Sequence, residues 1–150
     1  MDPQVRQTLR LAPLWVFSAV SGRSARFDPL EVEAFWRCLE AAALMADGVT
    51  FDLLSEASTD RAGSVEAFLR DGRPTASGLL EVAAALDALP DHDARALREV
   101  LITDIGEGVA RARGPFGRSV RKEDQVVLGL VTELLATSDG SNPLDSPYPV

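Results

Sequence analysis

The chain holds one cysteine, one histidine and one lysine in 150 residues. A single cysteine excludes a disulfide scaffold, which needs pairs. A lone thiol inside a helical pattern fits a reducing compartment. One histidine (His92) and one cysteine (Cys38), placed in different helical segments, do not make a four-ligand zinc set. No long apolar run exists. The longest, Leu11 to Val20, is interrupted by Pro13 and Ser18, whereas a membrane span needs about 20 residues. Met1-Asp2-Pro3 opens without the basic and apolar stretches of a signal peptide, so the expected location is the cytoplasm. Positive charge is also in deficit. Fifteen basic residues face 23 acidic ones, a formal net charge of -8, which argues against general nucleic-acid binding. No window alternates with period two over β-branched residues, so no sheet is expected. Without a strand there is no phosphate loop, and no Gly-x-Ser-x-Gly elbow occurs.

What remains is a balanced globular composition, 46% hydrophobic and 25% charged, with helical periodicity throughout. Residues 3–21 read as one helix or as two bent at Pro13. Asp28-Pro29-Leu30-Glu31 is a helix start, with an acidic N-cap, proline at the first helical position and Glu at the third. Val32, Phe35, Trp36, Leu39, Ala42 and Ala43 follow on one face, up to Asp47-Gly48. Short helices are expected at 50–54 and 64–69. A longer one carries Leu79, Val82, Ala83, Leu86 and Leu89 until Pro90. Asp91-His92-Asp93 starts the next, whose inner face is Leu97, Val100, Leu101, Ile105, Val109 and Ala112. Gly114-Pro115-Phe116-Gly117 breaks it. The last helix presents Val127, Leu130, Val131, Leu134 and Leu135. The fold class is therefore all-α, a bundle of about six or seven helices over residues 1–136. Residues 137–150, rich in Ser, Asp, Gly, Asn and Pro, read as a flexible tail.

The chain resembles itself. A helix running to Val20, a loop, and a helix opening after Phe27 match a helix running to Ala112, a loop, and a helix opening after Val120. Phe27 aligns with Val120 and Glu31 with Asp124, so two related helix-loop-helix hairpins are expected to form the core.

The segment Ala19 to Glu31 and the Gly-rich segment Val109 to Val120 carry a further resemblance. Residues 12–45 and 97–136 resemble the two halves of the tellurite-resistance TerB-like all-helical family. The resemblance implies a bacterial stress-response or defence setting and a divalent-cation site in the loops. Here the family's Ala-Asp-Gly falls on Arg23-Ser24-Ala25, with Ser24 where the acidic residue stands, and the second loop supplies no carboxylate between Val109 and Val120. No metal and no cofactor is therefore assigned. A divalent-cation sensor of the TerB type is the alternative.

Basic residues gather where the family would gather cations. Arg111, Arg113, Arg118, Arg121 and Lys122 lie within twelve positions, and Arg23 and Arg26 lie in the equivalent first loop. These seven residues are the candidate surface for an anionic ligand or an acidic protein face. Reversing Arg113, Arg118 and Arg121 to Glu is expected to abolish partner binding with helical content unchanged. The expected function is a non-enzymatic protein-interaction or scaffold module, with self-association left open. Asp104 and Glu107, one helical turn apart, are the nearest thing to an acid–base pair. A solvated face, with close helix packing at Gly106 and Gly108, is preferred there. Cys38 reads as a half-buried structural cysteine and His92 as an exposed residue of a helix start.

Overall fold

The computed structural model describes residues 1–22 and 28–136. Arg23, Arg26, Phe27 and the tail from Thr137 to Val150 lie outside the described residues. Among the described residues the helices are α1 (Pro3–Ser21), α2 (Pro29–Met45), α3 (Gly48–Thr59), α4 (Arg61–Arg70), α5 (Thr75–Asp87), α6 (Asp91–Glu99), α7 (Gly108–Arg113) and α8 (Lys122–Ala136). A π-helical segment, Val100–Glu107, joins α6 to α7 into one rod, so the bundle has seven rods and, among the described residues, no strand.

Helix α1 is the axis. Thr8, Leu9, Val20 and every residue from Leu11 to Phe17 are buried, which places apolar side chains all round the helix instead of along one stripe. The helix continues through Pro13. It packs chiefly on α5, and also on the π segment, α3, α7 and α8. Trp15 and Phe17 face opposite ways into the core: Trp15 meets Phe68 edge-on at 4.8 Å, and Phe17 meets Phe35 at 4.8 Å. Neither is left for a partner helix.

Three helix starts, those of α1, α2 and α4, follow local capping chemistry. Asp28 accepts a bond from the Leu30 amide, with Pro29 at the first helical position. Asp60 accepts from the Gly63 amide and so starts α4 at Arg61, earlier than its apolar residues mark. Gly48 has φ +56 and starts α3, displacing the start expected at Thr50. Thr50 is buried inside the helix instead.

The long rod departs from expectation on its inner face. Leu97, Leu101, Ile105, Val109 and Ala110 are buried, while Val100 is half-buried and Ala112 exposed. A strict four-residue spacing drifts by about 40° per step round an α-helix of 3.6 residues per turn. The wider turn of the π segment takes back part of that drift. Leu97, Leu101, Ile105 and Val109 therefore stay on one buried stripe.

The hairpin units do not pack as isolated pairs. Helix α2 lies mainly against α3, α7 and the π segment, and α8 lies mainly against α5 and α1. Helix α3 touches α1, α2 and α6, so the middle of the chain bridges the two units.

Candidate cationic site at the loop end of the bundle

The C-terminus of α1, the N-termini of α2 and α8, and the C-terminus of α7 converge at one end of the bundle. Arg113, on the last turn of α7, makes the junction. Its Nη1 donates to Glu31 Oε1 at 2.6 Å and to the Ser21 carbonyl at 3.1 Å, and its Nε donates to Asp124 Oδ2 at 3.3 Å. Asp124 is 5% exposed, Arg113 18% and Glu31 22%. Glu31 and Asp124 are the two positions paired by the internal similarity of the sequence, and both end on the same guanidinium. Glu31 turns to Arg113 and away from the reciprocal capping bond that its position suggested.

This geometry engages Arg113, one of the seven candidate residues, within the fold. Its donors point inward, and a planar fork can satisfy two carboxylates and a carbonyl at once. Reversing it to Glu would add a third carboxylate to a buried pair, so a variant carrying that change cannot be expected to keep its fold. Arg111 is also partly engaged, through an i,i+4 pair with Glu107 at 3.2 Å on an exposed helix face. Arg118, Arg121 and Lys122 are exposed. Five of the seven candidate residues lie among the described residues, and three of these, Arg118, Arg121 and Lys122, form no ion pair with another described residue. Arg23 and Arg26 are outside the described residues.

Among the described residues no group of three or more His, Cys, Asp or Glu converges as a metal site. The position between Glu31 and Asp124 is filled by a guanidinium. His92 is exposed at the start of α6. Cys38 is half-buried, and burial pushes its thiol pKa up. Its sulfur lies close to Gly108, where a built methyl carbon would sit 2.7 Å from Sγ, and a methyl on Gly106 would meet Leu128 at 2.9 Å. The two glycines beside Asp104 and Glu107 are therefore packing positions.

Asp104 is exposed on the π segment, yet its pKa is raised, first by partial burial and then by the neighbouring Glu99 and Glu107 carboxylates. A raised folded-state pKa means that the ionised form costs stability, and that the cost disappears as pH falls through that value. Asp104→Asn is accordingly expected to raise the melting temperature at neutral pH. The difference should vanish below the ordinary carboxylate value of 3.8. Thermal denaturation at both pH values checks this, and a destabilised variant at pH 7 would refute it.

Two surface features were not legible in the sequence. Leu130, expected on the inner face of α8, is 54% exposed beside a groove of about 560 Å³ between α1, α5 and α8, lined by Ala19, Leu79, Val127 and Val131. Phe116, expected only as part of a helix break, is 96% exposed at the loop tip. No protein-family model, curated protein or solved structure matches the chain.

Proposed function

We propose that the protein is a non-enzymatic interaction module, TerB-like in its sequence resemblance, that binds an acidic protein face through Arg118, Arg121 and Lys122. The observation that carries this reading is the division of labour at the loop end. Arg113 is consumed internally and rigidifies the junction, while three cations beyond it project into solvent. A chain of net charge -8 that concentrates cations on one rigid end presents a local field opposite in sign to its average. Groups beyond about 8 Å are screened at physiological salt, so the local patch governs a docked contact. A bacterial stress-response or defence assembly is the setting that the resemblance implies.

The test reverses Arg118, Arg121 and Lys122 to Glu and leaves Arg113 intact. Retention of a partner from the native host should fall by about a hundredfold, given roughly 1 kcal/mol for each contact. Far-UV circular dichroism should stay unchanged. Retention equal to wild type would defeat the reading. Calorimetry with Ca²⁺, Mg²⁺ and Zn²⁺ addresses the divalent-cation alternative: binding heat that Asp124→Asn removes would favour a sensor over an interaction module.

A further inference from the structure

Among the described residues Phe116 is the most exposed large hydrophobic, at 96%. It also has the only positive φ among the described non-glycine residues, φ 57 and ψ 17. An aromatic side chain has no reason of its own to take the left-handed region, because its Cβ crowds the following carbonyl. The loop imposes the conformation. Gly117 follows with φ +65, and its amide bonds to the Gly114 carbonyl at 3.1 Å, closing a tight turn. Gly114 in turn packs so closely on the Ser119 carbonyl that no side chain could replace its hydrogen. The tip is thus a closed turn, anchored by Arg113 at its base, that holds one ring away from the protein. Strain and apolar exposure together at a surface tip have no benefit for the isolated fold.

The surroundings define what the ring meets. Arg118, Arg121 and Lys122 follow within six residues and are exposed. Leu30, 76% exposed, precedes Glu31 on α2 and so stands at the same junction. An exposed aromatic followed within six residues by two arginines and a lysine has the make-up of an interface hot spot, with the ring filling a pocket and the guanidinium forks meeting carboxylates at its rim. An anionic membrane fits less well. One ring and three cations are a weak anchor, and an extended anionic sheet would also face the acids of a chain whose net charge is -8.

We propose that Phe116 is the anchor of the interaction face: it inserts into an apolar socket on an acidic protein partner, with Arg118 and Arg121 pairing the carboxylates at the socket rim. This inference rests on the interaction reading above and adds the partner's chemistry to it.

The probe is a displayed library of random 15-residue peptides, panned on the full chain, with selected peptides measured by fluorescence anisotropy. Selected sequences should carry Asp or Glu around one aliphatic or aromatic residue. Phe116→Asn tolerates the left-handed backbone and removes the ring. It should weaken peptide binding at least tenfold while the melting temperature stays the same or rises, a combination that a structural role for Phe116 would not produce. Phe116→Trp should keep the affinity, with indole emission shifting to the blue on binding. Should Phe116→Asn bind as wild type while R118E/R121E does not, the anchor is refuted and the cationic face survives. If neither variant changes peptide binding, both readings fall. Co-sedimentation with vesicles containing phosphatidylserine that requires Phe116, without selection of acidic peptides, would overturn the protein partner in favour of a lipid surface.

Discussion

Arg113→Ala should lower the unfolding free energy by about 3 kcal/mol, the lower end of the cost of removing one partner from a buried ion pair. Arg113 is 18% exposed and Glu31 22% exposed, so water recovers part of the loss on that side. It recovers little on the other, because Asp124 is 5% exposed and would be left charged beside Glu31. For a domain of this size the melting temperature should drop by roughly 6–12 °C. Arg113→Lys should recover only part of this, since a single ammonium cannot span Glu31, Asp124 and the Ser21 carbonyl as the fork does. Adding Asp124→Asn to Arg113→Ala should restore stability relative to the single variant, because the orphaned charge is gone. The double-mutant cycle then yields a coupling of more than about 1 kcal/mol. Urea denaturation measures all three variants. A loss below about 1 kcal/mol for Arg113→Ala would show that the junction is not a structural clamp. The same variant should release the base of the Phe116 turn, so any binding measured on it must be read beside its stability.

The second large effect lies in the core. A methyl group built on Gly78 in α5 would sit 2.3 Å from the Trp15 ring of α1. That ring is 3% exposed, wedged edge-on against Phe68 and covered by the Arg73 guanidinium at 5.7 Å. A rigid aromatic with neighbours on several sides cannot step aside as a flexible side chain would, so α1 and α5 must separate. Overpacking of this kind costs about 1–3 kcal/mol, and the higher helix propensity of alanine returns up to about 1 kcal/mol. Gly78→Ala should therefore lose about 1–2 kcal/mol and Gly78→Val more, to the point of abolishing cooperative folding. Trp15→Phe combined with Gly78→Ala should lose less than the sum of the two single changes, because the smaller ring makes room. Urea titration followed by near-ultraviolet circular dichroism reads both the stability and the packing of the ring. Wild-type stability for Gly78→Val would refute the close approach of the two helices.

Elements whose causes are local were legible in the residues. Asp28-Pro29 carries its own capping chemistry and starts α2 as read. Pro90 and Gly114 stop helices without help from the rest of the fold. Periodicity located the core faces of α2 and α5. Leu130 has the spacing of an inner residue, but α5 and α1 do not reach it, so it borders a groove. Ala112 has the spacing of an inner residue on an α-helix, but the π segment turns the rod before that position is reached. Asp60 moves the start of α4 by three residues, because its carboxylate caps an amide that apolar spacing does not register, and the left-handed backbone at Gly48 moves the start of α3 by two.

The candidate site divides in the same way. That cations concentrate between Arg111 and Lys122 is a property of the sequence, as is the all-helical class. Which of those cations face solvent is not. Arg113 and Arg118 are the same residue type five positions apart. One is neutralised because the start of α2, far away along the chain, delivers Glu31 to it, and the start of α8, eleven residues on, folds Asp124 back onto it. The other meets no such element. Phe116 illustrates the converse. The sequence marks it only as part of a helix break, and the Gly114–Gly117 turn carries it outward. Residue types and their spacing determined where helices form and how charge is distributed along the chain, because capping, propensity and periodicity act within a few residues. Only the tertiary structure decided which charges are cancelled and which apolar groups stay bare, because both depend on the electrostatic and packing partners that folding brings from distant parts of the chain.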